Sequence, residues 1–261
     1  MQIFVVGAPR SGTTIVAQTL NTHPQIKIFD EIGLIDVADF GALIIGKLMA
    51  FLVERGAYEM FREHARAGGD PADALRRTMA ALAEPRPIWG EKNPLYATRL
   101  DELRRCFPAA TILFVLRDPR EVVNSYLAHR ASLSRSHVDF WIKDCVADAL
   151  ALVESCVAPL KSGRSDLQLL RYEEFVADPK AALEAALRPQ GVRFGEHLLA
   201  AEPAAPETAG DHQFFRRGAL LPWKLGNLQP IRSSTPAGAR LDESDPAWAR
   251  VDALAQTLGY T

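Results

Sequence analysis

The hydrophobic pattern switches repeatedly between two periods. Short runs rich in β-branched residues alternate with longer stretches whose apolar residues fall three and four apart. Ile3-Phe4-Val5-Val6 predicts a first strand over residues 2–6, followed by a glycine-containing loop and a helix from Thr13 to Asn21. Gln25 to Phe29 predicts a second strand. Residues 34–66 and 71–83 predict helices, interrupted near Gly56 and at Gly68-Gly69. A short strand at Ile88-Trp89 leads into Gly90-Glu91-Lys92-Asn93-Pro94 and a helix over 95–106. Thr111-Ile112-Leu113-Phe114-Val115-Leu116 is the continuous run of a strand covered on both faces. Helices over 119–130 and 137–160 follow, then a strand from Leu167 to Leu170. Asp178-Pro179 opens a further helix with proline at its first position. Strands alternating with helices predict an α/β fold, a parallel sheet flanked by helices. The proline-rich stretch from Pro203 to Pro236 reads as a long functional loop rather than a second domain, so residues 1–261 form a single domain.

Composition narrows the function classes. With 261 residues, 48% of them hydrophobic and 24% charged, the chain can bury a core without disulfides or metals. A net charge of −2 leaves no global basic field for nucleic acid or an anionic membrane, so any anion site is local. Of the 30 basic residues 23 are Arg; beside 39 Ala this reads as codon bias for most of them and as guanidinium recognition of phosphate for a few. Cys106, Cys145 and Cys156 are too scattered for a disulfide framework or zinc site, and the six His show no ligand spacing. Leu34 to Val53 is interrupted by Asp36, Asp39 and Lys47 and fails as a membrane span. Met1 leads straight into a strand without a basic leader. These features predict a cytoplasmic protein with neither membrane nor nucleic-acid partner.

Two segments carry chemistry. Gly7-Ala8-Pro9-Arg10-Ser11-Gly12-Thr13-Thr14 lies between a strand and a helix, with glycines at phosphate-loop spacing. Its backbone N–H groups and the helix N-terminus form an anion-binding nest. Thr13 stands where such a loop has the lysine that reaches a nucleoside triphosphate, and the cation is instead Arg10. The second segment, Arg117-Asp118-Pro119 through Ser125, follows the buried strand. Asp118 reads as a helix cap before Pro119 rather than a magnesium ligand, leaving Arg117 and Ser125 as donors to a second phosphate.

In this order and spacing the segments resemble the sulfotransferase family that uses 3′-phosphoadenosine-5′-phosphosulfate (PAPS), whose fold is a P-loop NTPase-like sheet. The resemblance implies that Arg10, Ser11, Gly12, Thr13 and Thr14 hold the 5′-phosphosulfate. It likewise implies that Arg117 and Ser125 hold the 3′-phosphate and that Tyr172, in Leu170-Arg171-Tyr172-Glu173-Glu174-Phe175, lies near the nucleotide. The tyrosylprotein and related Golgi-type branch is the most similar: Glu31 stands where that branch has its catalytic Glu after the loop Arg, and Lys92 matches the lysine of its Asn-Lys-Asp-Pro segment. Phe214-Phe215-Arg216-Arg217-Gly218 resembles a cap closing over the nucleotide, or is a solvated basic turn. Leu221 replaces the family's nucleotide-contacting Ser, and the basic residue past Ser125 is His129 or Arg130.

The implied reaction moves a sulfuryl group from PAPS to an acceptor hydroxyl on a small molecule, sugar or peptide, with Glu31, Lys92 and Arg10 catalytic and no metal. Two other readings stand beside it: a phosphotransferase using a nucleoside triphosphate, and an inactive nucleotide-bisphosphate-binding module. His23 is the competitor to Glu31 as base. Because neighbouring strand residues face opposite ways, only one of Asp30 and Glu31 is expected to aim at the site. Tyr126 and Trp141 read as core or as pocket wall.

Overall fold

Ile3, Phe4, Val5 and Val6 are wholly buried, and the strand they build, β1 (Ile3–Gly7), is the middle of a five-stranded sheet in a computed structural model. The structure describes residues 1–37, 46–68, 70–132, 145–195, 215–216, 219–220 and 240–261. The other strands are β2 (Ile26–Asp30), β3 (Ile88–Lys92), β4 (Thr111–Leu116) and β5 (Gln168–Arg171). They run in the order β2-β3-β1-β4-β5, every neighbouring pair parallel. The parallel α/β class predicted from the sequence is therefore correct.

The pleat divides the core in two. Phe4 and Val6 of β1 face one side with Phe29, Trp89, Ile112, Phe114 and Leu116, while Ile3 and Val5 face the other with Ile26, Ile28, Leu113, Val115 and Leu170. The second face is covered by α1 (Thr13–Asn21), α8 (Tyr172–Ala177) and α9 (Pro179–Ala186). The first is covered by α2 (Gly46–Glu54), α3 (Tyr58–Arg66), α4 (Pro71–Ala83), α5 (Leu100–Cys106), α6 (Pro119–Ser132), α7 (Cys145–Lys161) and α10 (Trp248–Thr257). Asp-Pro pairs start three of these helices. Asp70, Asp118 and Asp178 each accept a hydrogen bond from a backbone N–H in the first turn, and the proline that follows needs no donor there.

Several expected boundaries move. The predicted helix over 34–66 opens as a 3₁₀ turn at Leu34–Val37 and becomes two α-helices with Gly56 between them. The helix predicted over 95–106 is a 3₁₀ turn, Pro94–Thr98, and then α5. The one predicted over 137–160 is α7, beginning at Cys145; residues 133–144, with Trp141, lie outside the described residues. Within the stretch predicted as loop, β6 (Phe215–Arg216) pairs antiparallel with β7 (Ala219–Leu220). Arg217, Leu221 and the rest of 221–239 lie outside the described residues. Tyr126 is buried in the core.

The largest local shift is in β3, which runs through Glu91 and Lys92 instead of stopping at Trp89. Gly90 lies inside this strand. It is there because β1 passes so close that a Cβ would lie 1.7 Å from the Ile3 carbonyl oxygen. Neither strand can retreat from the centre of the sheet, so Gly90→Ala should destabilise the fold by ~3 kcal/mol or more, an overpacking penalty at the upper end of its usual range. Urea unfolding of Gly90→Ala beside the wild-type chain measures it.

Candidate active site

Parallel strands deliver their carboxyl ends to one edge, and the chemistry-bearing residues collect there. β2 ends at Asp30 and Glu31, β3 at Lys92, β1 at the loop of Arg10, β4 at Arg117 and β5 at Tyr172. The chain leaves β1 toward β2 on one side and leaves β4 toward β5 on the other, so the order reverses between β1 and β4. Ligands of open α/β sheets occupy the crevice at such a switch point, and Arg10 and Arg117 flank it.

The loop after β1 is shaped for close approach. Arg10 has φ 72° and Gly12 φ 99°, and a Cβ on Gly12 would lie 2.3 Å from the Tyr172 ring. Gly12 is also the N-cap of α1 and supplies no side chain, so no side chain caps this helix end. Arg117 stacks on the other participant: its Cζ lies 4.7 Å from the centroid of Tyr172. Gly12, Tyr172 and Arg117 thus form one packed column joining the ends of β1, β4 and β5.

The two arginine-bearing segments meet directly. Arg10 Nε donates to Ser125 Oγ at 3.2 Å, and Arg117 Nη1 reaches the Arg10 carbonyl at 3.4 Å. Arg117 Nη2 lies 3.4 Å from Glu121 Oε2. Ser11 Oγ and Arg117 Nε are buried and have no hydrogen-bond partner among the described residues. Buried polar atoms left this way are costly; one lies in the loop after β1 and the other at the end of β4. Asp118 has its carboxylate occupied by the Arg120 backbone N–H and Nε, each within 3.0 Å. It is the helix cap the sequence indicated.

On the other side of β1 lies an ionic cluster. The Lys92 side chain is 1% exposed, and its Nζ contacts both Asp30 Oδ1 and Glu31 Oε1, the latter at 2.5 Å. Burial works against the charged amine, but the two carboxylates outweigh it and hold the ammonium above the ordinary lysine range. The expectation that only one of Asp30 and Glu31 could point this way is wrong. Strand alternation holds only while the chain stays extended, and Glu31 sits in the left-handed region at φ 51°. Its backbone N–H still bonds the Lys92 carbonyl at 2.8 Å, while its side chain returns to the lysine already held by Asp30. Among the described residues Arg10 and Glu31 are the two non-glycine positions with positive φ, and such strain of about 1–3 kcal/mol concentrates at functional positions.

His23 does not compete as a base. Its Nδ1 accepts from the Gln25 N–H at 3.1 Å and its Nε2 lies 2.9 Å from the Arg193 carbonyl, so both ring nitrogens serve backbone groups. The sequence reading missed Glu91. This carboxylate, wholly buried, accepts from the Gly33 and Leu34 N–H groups at 2.8 and 2.9 Å and from the Tyr96 hydroxyl at 2.8 Å. Tyr96 in turn accepts from the Ile35 N–H. Glu91 therefore ties down the segment immediately after Glu31. The only sequence signal for it is an acidic residue in a strand next to a lysine.

The family model described as "Sulfotransferase family" matches residues 2–196. Protein-tyrosine sulfotransferase 2 of Gallus gallus is 24% identical over 203 residues, which cover 76% of this chain and 53% of that protein. Protein-tyrosine sulfotransferase 1 of Danio rerio is 22% identical over 216 residues, covering 80% of this chain and 58% of its own. The chain spans about half the length of the curated relatives it matches. The fold is similar to the sulfotransferase domain from the curacin biosynthetic pathway, with a TM-score of 0.67 at 16% identity over 99% of this chain and 97% of that one. It is also similar to the sulfotransferase domain from the Synechococcus PCC 7002 olefin synthase, with a TM-score of 0.61 at 20% identity over 100% and 95%.

Burial raises the Glu91 carboxyl from 4.5 to about 7, against the bonds from Gly33, Leu34, Tyr96 and Asn93 that favour its charge. A raised carboxyl pKa stabilises the fold fully below the unfolded value and progressively less as pH rises toward the folded one. Wild-type thermal stability should therefore fall relative to Glu91→Gln between pH 4.5 and about 7. Parallel melting curves over that window measure the difference.

Proposed function

The chain belongs to the sulfotransferase family, and from that premise we propose that it moves a sulfuryl group from PAPS to an acceptor hydroxyl by in-line displacement, with Glu31 as general base. The observation that carries this reading is Arg117 at the end of β4. A phosphotransferase needs a free carboxylate there for magnesium, whereas this strand end presents a buried guanidinium over Tyr172, and the next residue's carboxylate is used up in its own helix cap.

The residues fit the donor's two anionic ends. Ser11 Oγ, the N–H groups around Gly12 and the uncapped start of α1 suit the 5′-phosphosulfate. Arg117, with its unpartnered Nε, and Ser125 suit the 3′-phosphate. PAPS supplies the sulfuryl group and a phosphate leaving group. Arg10 joins the two subsites through Ser125, and Lys92 offers a fixed positive charge to the oxygen on which negative charge develops. Glu31 takes the proton of the attacking hydroxyl, which is a poor nucleophile while it keeps that proton. The positive field of Arg10, Lys92 and Arg117 serves where a kinase uses a metal. The names of the curated relatives support a hydroxyl acceptor, of which a peptide tyrosine is one instance to assay. Arg216 lies in β6, and a nucleotide-capping role for it with Arg217 belongs to this same proposal.

Two measurements test the assignment. Losing a charge-assisted guanidinium–phosphate contact costs about 1.5–3 kcal/mol, so Arg117→Ala should weaken adenosine 3′,5′-bisphosphate far more than adenosine 5′-phosphate in metal-free calorimetry. Equal losses for both nucleotides, or stabilisation by ATP–magnesium alone, would overturn it. Glu31→Gln should keep the bisphosphate affinity and lower kcat by ~10²–10⁴-fold, the usual worth of a general base.

A further inference from the structure

Asp30 has no part in the transfer as written, yet it grips the same buried ammonium as Glu31. The two carboxylates are held differently. Asp30 is paired with Lys92 in the β2–β3 ladder, register partner to register partner. Glu31 lies one residue beyond that ladder on a left-handed turn. One carboxylate is built into the sheet, and the other is carried on the segment leaving it.

We propose that Asp30 is a positioning residue acting through Lys92, a standing counter-ion that keeps the Lys92 ammonium charged when Glu31 is neutralised. This rests on the sulfuryl-transfer reading above. In that step a bond forms between the acceptor oxygen and sulfur. The bond from sulfur to the phosphate oxygen breaks, its electron pair staying on that oxygen, and the acceptor's proton moves to Glu31. Glu31 then carries no charge. If it were the sole partner of a lysine that is 1% exposed, proton uptake would strand the ammonium in the interior just as the leaving oxygen comes to need it. A lone buried ammonium gives up its proton readily. The leaving oxygen gains charge only as far as its bond to sulfur has opened, so it cannot hold the lysine at the outset. Asp30 bridges that interval, and the base and the cation can work in one step without cancelling each other.

The test reads Lys92 itself and needs neither donor, acceptor nor turnover. The chain has 7 lysines, so ¹³Cε-lysine labelling gives a short spectrum in which Lys92 is assigned by its absence from Lys92→Met. In Glu31→Gln, which mimics the protonated base, Lys92 should remain charged up to or beyond the ordinary lysine value of about 10.4. In Asp30→Asn/Glu31→Gln its titration should fall by several units, toward the values of about 5–6 documented for buried unpaired lysines. Loss of the Lys92 charge near neutral pH in Glu31→Gln alone would overturn the proposal, as would a double variant that still titrates at or above the ordinary value. If the double variant does not fold, the single variant still decides. A failure here leaves the nucleotide-binding and turnover tests of the sulfuryl-transfer reading untouched, and a failure there leaves this titration readable.

Discussion

A lysine ammonium sealed inside a protein has to be compensated on the spot, and at Lys92 that requirement organises half of the site. Compensation by a single carboxylate would be met by the register neighbour Asp30. Bringing a second one requires the chain to leave β2 abruptly, which it does through the left-handed Glu31. That departure exposes consecutive backbone N–H groups at Gly33, Leu34 and Ile35 in a place shut off from water. Glu91 and Tyr96 accept all three. Each element answers a debt left by the one before: buried cation, second anion, strained turn, orphaned donors, buried acceptor. Breaking the sequence anywhere leaves an uncompensated polar group in the interior, which is the expensive kind of defect.

The other half of the site is held from outside the sheet. Glu173, one residue after Tyr172, accepts the Asp118 N–H at 3.0 Å and the Tyr260 hydroxyl at 3.1 Å. Arg171 bonds the Leu258 carbonyl and stacks on Tyr260, while Arg120 reaches Asp252 and the Thr261 carbonyl. The segment following α10 therefore clasps the ends of β4 and β5, on which Arg117 and Tyr172 ride. These contacts are surface-exposed in part and individually weak. Their effect is geometric, since they fix the spacing of two strand ends that no direct backbone ladder joins beyond Arg171.

The parts of this arrangement that were legible in the sequence are those governed by local rules. The apolar run of β4, the bounds of α1 and α4, and the Asp-Pro starts of α6 and α9 each depend on residues within one turn or one strand. The glycine-containing turn between β1 and α1 was readable because its glycines and hydroxyls are contiguous. Glu91 was not, because its four donors come from the turn after β2 and from residues 93 and 96 beyond its own strand, and nothing local says that a strand carboxylate will be buried. The orientation of Asp30 and Glu31 was misread for the opposite reason: a sound local rule was applied one residue past the point where the strand ends. The strand expected at Ile88-Trp89 runs on through Gly90, whose absent side chain reflects the passage of β1.

The choice of cation at the two halves follows from what each must contact. Arg117 lies between a ring face, a carbonyl and a carboxylate, contacts that a flat, multi-donor guanidinium can meet at once while its Nε stays without a partner among the described residues. Lys92, itself buried, faces two partly exposed carboxylates that converge on one point. A compact ammonium with three rotatable donors fits there, with one donor left after each carboxylate has taken its own. A guanidinium would force the carboxylates apart, and with them the Glu31 turn and the backbone that Glu91 holds. The constraint that fixes Lys92 as a lysine is thus the same one that bends the chain at Glu31: two anions have to share a single small cation.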